Sequence, residues 1–136
     1  MKINIPNQVE IKFIKNNLQI KYDPIKLEAV VINLIVNAIQ EMPNGGKLEI
    51  KTYENHDFVI LEFIDSGDGI SEKNINKVFE PLFTTKQKGT GLGLTSCKNI
   101  AEQHLGKISV KNNPTTFTVC IPKGLSEERS KIKNKL

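Results

Sequence analysis

The strongest constraint on the fold of this chain lies in residues 58–70, where an apolar run leads into a turn that contains two glycines. The run is mostly β-branched or aromatic, which predicts a strand, and Gly67 and Gly69 predict a bend that leaves the backbone open to close approach. Counted by twos, Asp65 falls on the same face as Phe63. A carboxylate at the buried end of a strand needs a hydrogen-bond donor, because desolvating it without one is costly. A neighbouring group or a ligand is therefore expected to supply that donor.

The length and composition fit a single globular domain. The chain has 136 residues, of which 38% are hydrophobic and 25% charged, and its net charge is +4. No apolar run approaches the roughly 20 residues of a membrane-spanning helix, and the N-terminus lacks a signal-peptide core. We therefore expect a cytoplasmic domain without membrane contact. No aromatic residues interleave with the lysines of the tail, which argues against nucleic-acid binding.

The two cysteines, Cys97 and Cys120, are isolated and have neither CxxC nor metal-ligand spacing. In an intracellular protein this pattern favours buried, reduced thiols. A disulfide between them is the less favoured alternative.

The order of apolar periodicities predicts a two-layer α+β sandwich, in which helices cover one face of a mixed, largely antiparallel sheet. Residues 9–14 and 18–22 alternate apolar and polar side chains and predict an antiparallel hairpin. Asp23 and Pro24 begin a helix that ends near Met42. The remaining predicted elements are strands at 47–54, 58–65, 107–110 and 115–121, a short helix after Ser71, and a helix that ends near Leu105. We expect a linker at 1–8, one domain at 9–123 and a tail at 124–136.

A polar stripe follows one face of the first predicted helix. It consists of Lys26, Asn33, Asn37, Gln40 and Asn44. Asparagine is a mediocre helix former, and an amide among apolar side chains must be hydrogen-bonded or solvated. A solvated surface and a ligand-binding role for the two helical asparagines are both open on this pattern.

A second glycine cluster, residues 89–94 (GTGLGL), leads directly into the last predicted helix. A glycine-rich loop at a helix start presents backbone N–H groups and the positive end of the helix dipole, which suits phosphate. Lys86 and Lys88 lie just before it. Such a cluster also occurs as a plain turn, so the loop alone is weak support for a phosphate site.

Four segments together resemble the N, G1, F and G2 boxes of a sensor histidine kinase catalytic domain, in the ATP-binding superfamily that also includes type II topoisomerases, heat-shock chaperones and mismatch-repair ATPases. They are residues 33–38 (NLIVNA), 65–70 (DSGDGI), 78–86 (VFEPLFTTK) and 89–94. Residues 115–122 resemble the last strand of that domain. The similarity covers residues 9–123 and implies a Bergerat-type ATP-binding fold with ATP and Mg²⁺ as ligands.

The resemblance also implies roles for individual residues. Asp65 would accept a hydrogen bond from the adenine amino group, Asn37 would bind Mg²⁺, and Asn33 would lie near the γ-phosphate. Thr116, or less favourably Thr115, would help to fix the base. The full set of implied ATP-binding residues is Asn37, Gln40, Asp65, Gly67, Gly69, Ile70, Lys86, Gly89, Thr90, Gly91, Leu92, Gly93, Leu94 and Thr116.

Position 33 bears on the reaction. The ATPases of the superfamily that this sequence resembles carry a glutamate at this position, and that glutamate activates water. The amide of Asn33 cannot act as a general base. The resemblance therefore implies phosphoryl transfer to an external nucleophile rather than efficient hydrolysis.

Neither histidine lies where a phosphoacceptor is expected, since His56 falls in a predicted turn and His104 near a helix end. The resemblance thus implies a partner, a histidine-bearing dimerisation domain elsewhere in the full protein or on a separate chain, and indirectly a response regulator. The isolated domain is expected to be monomeric. Two alternatives stay open: a serine/threonine kinase of the anti-sigma type, against which the F-box match argues, and a nucleotide-binding interaction module without transfer activity.

Overall fold

The computed structural model describes residues 9–14, 24–81 and 93–123. Five strands and three helices lie in these ranges. In chain order they are β1 (Val9–Ile14), α1 (Pro24–Gln40), β2 (Gly46–Glu54), β3 (Phe58–Asp65), α2 (Glu72–Ile75), α3 (Gly93–Gln103), β4 (Lys107–Lys111) and β5 (Thr115–Pro122). These bounds confirm the two longer predicted helices and the four predicted strands after the first helix. The pattern after Ser71 predicts a short helix that leads to Val78 and Phe79, but α2 ends at Ile75 and turns follow it.

The strands form one sheet in the order β1-β2-β3-β5-β4. All neighbouring pairs are antiparallel except β1 and β2, which are parallel, with Val9 opposite Gly46. The mixed, largely antiparallel sheet is therefore confirmed. On one edge β1 pairs with β2, which lies beyond α1 in the chain. Residues 18–22, the other half of the predicted hairpin, lie outside the described residues.

The core lies between the sheet and the two longer helices. On α1, Val30 and Leu34 are fully buried, and on β5 the alternating residues Phe117, Val119 and Ile121 point into the same core. Burial explains why α1 is a helix although many of its residues are β-branched, since tertiary packing outweighs helix propensity.

The C-terminal end of α3 is held by a close approach to the sheet. The Gly106 N–H donates to the carbonyl of Ala101 (2.8 Å), and Leu105 has a φ of 61°, the left-handed conformation that often ends a helix. A Cβ atom on Gly106 would overlap the carbonyl oxygen of Cys120 on β5. Only glycine therefore lets the chain turn here from α3 into β4.

Two turns lie at opposite ends of the sheet. At one end, the Asn55 side chain accepts hydrogen bonds from the backbone N–H groups of Asp57 and Phe58 (2.9 and 2.8 Å) and closes the β2–β3 turn. At the other end, Asp65 is paired with Leu48 on β2 and with Thr115 on β5. This second end, where β3 finishes and β5 begins, carries the glycine-containing residues 65–70.

Candidate functional site

The carboxylate of Asp65 is buried at the end of β3, with 2% of the residue exposed. It lies on the face that also buries Phe63 and Val59, as the alternation predicted. One oxygen, Oδ1, accepts a hydrogen bond from the backbone N–H of Gly67 (2.9 Å). A carboxylate has room for several donors, so a hydrogen bond from a ligand is compatible with this one.

The loop after Asp65 is packed against the end of α1. A Cβ atom at Gly67 would lie 2.7 Å from the carbonyl oxygen of Glu41, so this position must be glycine for the loop to approach so closely. Gly69 has a φ of 88°, which L-residues rarely adopt. Ser66 fixes the start of the loop, since its hydroxyl accepts from the N–H of Lys47 (2.9 Å).

A side chain that the sequence did not single out, Asn112, holds the other end of this loop. Its Oδ1 accepts from the backbone N–H of Ile70 (3.0 Å), and its Nδ2 donates to the carbonyl of the same residue. Asn112 lies in the β4–β5 turn, 42 residues away in sequence. Nothing in the local pattern could have indicated this pairing.

The register of β5 separates its first two threonines. Thr115 is opposite Asp65, whereas Thr116 is opposite Ile64. Successive side chains of a strand point to opposite faces, so Thr115 shares the face of Asp65. The Thr116 hydroxyl instead donates to the carbonyl of Pro114 (3.0 Å). The geometry thus favours Thr115 over Thr116 as a residue of the site.

The polar side chains of α1 are buried to different extents. Asn37 is buried, with 8% exposed, whereas Asn33 is half-buried and Gln40 is exposed. The thiol of Cys97 on α3 donates to the carbonyl of Val30 on α1 (3.8 Å). Burial raises the pKa of that thiol to about 11, and the polar side chain of Asn33 lowers it in part. The polar stripe is therefore not simply a solvated surface.

The N-terminus of α3 faces Asn33. A Cβ atom built on Gly93, the first residue of α3, would lie 3.9 Å from the Asn33 amide. The hydroxyl of Thr95 donates to the carbonyl of Phe79 (3.0 Å), and the Phe79 ring meets Phe117 edge to face at 6.0 Å. The start of α3 is thereby attached to the segment that follows α2.

Several predicted phosphate-site residues lie outside the described residues. They are Lys86, Gly89, Thr90, Gly91 and Leu92. Gly93 and Leu94 are described and begin α3.

The site has two polar ends that α1 connects. At one end, Asn33 adjoins the start of α3, and at the other the Glu41 carbonyl adjoins Gly67 beside Asp65. A helix rises 1.5 Å per residue, so these two positions lie about 12 Å apart along the axis. Asn37, midway between them, is within one turn of each.

The donor set of the site suits only some metals. Among the described residues, no three His, Cys, Asp or Glu side chains cluster to hold a metal ion. The polar side chains at the middle of α1 are amides, whose oxygens suit a hard cation. These residues fit a Mg²⁺ ion that takes one or two protein ligands and the rest from phosphate and water.

No helix in the described part of the chain is long and apolar enough to cross a bilayer.

Comparison with known proteins identifies the class to which this fold and site belong. Residues 22–125 match the family described as histidine kinase-, DNA gyrase B- and HSP90-like ATPases. The chain belongs to this family.

The curated relatives include sensor kinases. The chain is 42% identical over 118 residues to sporulation kinase A of Bacillus subtilis, covering 85% of this chain and 20% of that protein. It is 36% identical over 126 residues to the sensor histidine kinase ZraS of Escherichia coli, covering 89% of this chain and 27% of that protein. The chain therefore spans about a fifth to a quarter of the length of these relatives.

Solved structures of histidine kinases share the fold. The catalytic domain of histidine kinase ThkA superposes with a TM-score of 0.78 at 35% identity and covers 85% of this chain and 81% of that one. The mycobacterial sensor histidine kinase MprB gives a TM-score of 0.78 at 27% identity, with 85% and 83% covered. The chain thus has the fold of a histidine kinase catalytic domain.

Proposed function

We propose that this domain binds Mg-ATP and transfers the γ-phosphoryl group to a histidine on a separate dimerisation domain. The observation that carries the proposal is that α1 connects two polar ends of the site. One end offers a buried carboxylate to a hydrogen-bond donor, and the other offers amides and a helix N-terminus to anions. Their spacing of about 12 Å along α1 suits a nucleoside triphosphate that lies along the helix.

The base would bind at the Asp65 end. The exocyclic amino group of adenine donates hydrogen bonds, and the buried carboxylate of Asp65 is an acceptor on the face of β3 where Thr115 also lies. Gly67 and Gly69 leave the backbone bare beside it, and Ile70 would pack against the ring. We therefore assign the hydroxyl at the base to Thr115.

The phosphates would bind at the Asn33 end. Backbone N–H groups at the start of α3, from Gly93 and Leu94, favour anions. Lys86 and residues 89–92 would complete the phosphate site, as the resemblance implies. Gln40 is the last residue of α1 and lies nearer the Asp65 end. Asn37 would hold Mg²⁺, which neutralises charge on the phosphate oxygens when it is bound.

The chemistry would be a displacement at the γ-phosphorus. An imidazole nitrogen of the partner forms the N–P bond, the bond to the β–γ bridging oxygen breaks, and ADP leaves with that electron pair. Asn33 offers no general base that could activate water. Catalysis would rest on positioning and charge stabilisation, as in phosphoryl transfer generally.

The acceptor would be on another domain. His104 is buried, and its Nδ1 atom is 2.8 Å from the carbonyl of Ile100, while His56 is exposed in the β2–β3 turn, far along the sheet from Asp65. Neither position suits a nucleophile for the same site. This supports a partner that supplies the histidine.

The test incubates this chain with Mg²⁺, ATP labelled in the γ-phosphate and the histidine-bearing dimerisation domain of a relative. We expect label on that domain that is stable in base and lost in acid, as phosphohistidine is. Asn33→Ala should reduce the labelling rate while the domain stays folded. Acid-stable label on serine would favour the anti-sigma type of kinase instead. ATP binding without any labelled protein would favour the non-catalytic module.

A further inference from the structure

We propose that Asn112 is a positioning residue that gives the base end of the site its preference for adenine. This inference rests on the proposed function, because it assigns a role within the same nucleotide site. It comes from three hydrogen bonds of the Asn112 side-chain amide. Two are to Ile70 in the loop that follows Asp65, and the third is to Thr115, the first residue of β5.

The backbone of Ile70 fixes the orientation of the Asn112 amide. The Ile70 N–H needs an acceptor, so the amide oxygen must face it (3.0 Å), and the amide nitrogen then faces the Ile70 carbonyl. With this reciprocal pair, Asn112 pairs with Ile70 as a neighbouring strand would. The loop is thereby attached to the β4–β5 turn just beyond the end of the sheet.

The same amide oxygen sets the direction of the Thr115 hydroxyl. Thr115 Oγ1 lies 3.3 Å from Asn112 Oδ1. An amide oxygen only accepts, so Thr115 must donate its hydroxyl hydrogen to Asn112. The lone pairs of the Thr115 oxygen are then what this side chain offers to a ligand or to a water molecule beside one.

This arrangement makes the base end a pair of acceptors. The carboxylate of Asp65 accepts, and the Thr115 oxygen accepts because its hydrogen is held by Asn112. Two acceptors suit the amino group at position 6 of adenine and oppose the carbonyl oxygen that guanine carries there. A buried acceptor facing another acceptor is strongly unfavourable, so the arrangement discriminates between the two bases.

Asn112 also fixes how closely the loop approaches. A Cβ atom on Gly69 would lie 3.3 Å from Asn112 Oδ1 and 3.6 Å from Thr115 Oγ1. The bare backbone at Gly69, with its φ of 88°, is thus packed against the same amide. Without Asn112, both the loop and the hydroxyl would lose the group that orients them.

The chain offers a matched control in Asn55. Its side chain also fixes a turn, in this case by accepting from two backbone N–H groups. That turn lies at the opposite end of the sheet. Asn55→Ala therefore removes a comparable set of hydrogen bonds from a turn that is remote from the site. Any effect specific to Asn112→Ala then reflects the site rather than the loss of a turn.

The experiment measures the affinity of the whole chain for Mg-ATP and Mg-GTP by calorimetry. The proteins are the wild type, Asn112→Ala, Asn112→Asp and Asn55→Ala. We expect the wild type and Asn55→Ala to prefer ATP alike. Asn112→Ala should bind ATP about tenfold more weakly and lose most of its preference over GTP, because hydrogen bonds that orient both the loop and the hydroxyl are lost. Asn112→Asp keeps the oxygen that accepts from Ile70 and Thr115 but sets a second acceptor against the Ile70 carbonyl. It should therefore bind ATP more weakly than the wild type while keeping the preference over GTP.

The outcomes separate this inference from the proposed function. If the wild type binds neither nucleotide, the proposed function fails and the inference with it. If the wild type binds ATP and Asn112→Ala retains both its affinity and its preference, only the inference fails. Should Asn112→Ala not fold, Asn112→Asp decides: weaker ATP binding with a retained preference over GTP supports the inference, and either an unchanged affinity or a lost preference overturns it.

Discussion

At the scale of single residues, the carboxylate of Asp65 is the group whose role can be tested most directly. The substitution Asp65→Asn keeps an oxygen that can accept from the Gly67 N–H, so the fold should persist. It replaces the charged acceptor by a neutral amide that also carries a donor. Charge-assisted hydrogen bonds contribute about 1.5–3 kcal/mol, so ATP affinity should fall by roughly 10- to 100-fold.

Asp68 gives the control for this prediction, since it lies in the same loop and is exposed. Asp68→Asn makes the same chemical change and should leave ATP affinity within about twofold of wild type, as surface substitutions usually have small effects. Calorimetry gives both affinities, and circular dichroism confirms folding. Equal affinities for Asp65→Asn and the wild type would remove Asp65 from the base site.

The thiol of Cys97 predicts a pH dependence of stability. Its pKa rises from the ordinary 9.0 to about 11 because the thiolate would be buried. Above pH 9 the unfolded chain loses this proton while the folded chain keeps it, so the free energy of unfolding falls as pH rises to 11. A shift of this size corresponds to about 2 to 3 kcal/mol.

Urea unfolding at pH 8, 9, 10 and 11 measures this decline. Because lysines and tyrosines also titrate in this range, the informative quantity is the difference between the wild type and Cys97→Ala. That difference should shrink with rising pH, whereas Cys120→Ala, which removes the half-buried thiol, should follow the wild type more closely. Parallel curves for wild type and Cys97→Ala would contradict the buried thiol.

Part of the proposed site follows from the sequence pattern. Alternation predicted that Asp65 is buried, and the same counting from Ile121 through Val119 and Phe117 leads to Thr115 rather than Thr116. That signal was present, although the resemblance alone favoured the other threonine. Asn112 differs in kind, because its partner is 42 residues away. A bond between distant segments depends on the tertiary fold and leaves no local pattern.

At the scale of secondary-structure elements, the turn from α3 into β4 depends on Gly106. Gly106→Ala would force its Cβ into the carbonyl oxygen of Cys120, a backbone atom that cannot move without disturbing β5. We expect a loss of about 2 to 4 kcal/mol in the free energy of unfolding, in the range of severe overpacking.

Gly93→Ala is the matched control at the other end of α3. Among the described residues, apart from its chain neighbours and the backbone of its own helix, a Cβ there would meet no atom closer than 3.9 Å, and alanine is the better helix former. Its stability should equal or slightly exceed that of the wild type in urea unfolding. A similar small effect for Gly106→Ala would mean that the contact with β5 can relax.

The elements differ in how well sequence patterns predict them. Helix α1 was predicted because Pro24 marks its start and glycines mark its end, despite a β-branched interior. The face of β1 followed from alternation, but its partner did not. Alternation specifies which side chains are buried and says nothing about the neighbouring strand, so the parallel pairing with β2 across α1 needed the structure.

At the scale of the whole molecule, the proposed site joins the sheet to the two longer helices. Its base end is formed by β3, β5 and the turn before β5, and its phosphate end by α1 and α3. A nucleotide bound across both ends would contact the sheet and the helices at once. It should therefore stabilise the global fold rather than one loop.

This gives a prediction for thermal unfolding. A ligand that binds only the folded state at 100 times its Kd adds about 2.7 kcal/mol of stability, which for a domain of this size raises Tm by roughly 10 °C. Mg-ATP at such a concentration should produce this rise in the wild type. Asp65→Asn, compared at the same ATP concentration, should show about half of this rise or less, because its Kd is roughly 10- to 100-fold higher.

The ion and the base should contribute separately to this rise. Chelating Mg²⁺ should reduce the rise in Tm with ATP, because Asn37 would then face phosphate charge without the cation. It should scarcely alter a rise in Tm produced by adenosine, because adenosine has no phosphates for the ion to bridge. Asn37→Ala should reproduce the chelator's effect on ATP and leave the adenosine response unchanged. If chelation and Asn37→Ala left the ATP response intact, Mg²⁺ binding through Asn37 would be excluded. Adenosine is tested up to its solubility limit: if it gave no rise in Tm while ATP did, binding would depend on the phosphates. The Asp65 end would then lose its role as the base site.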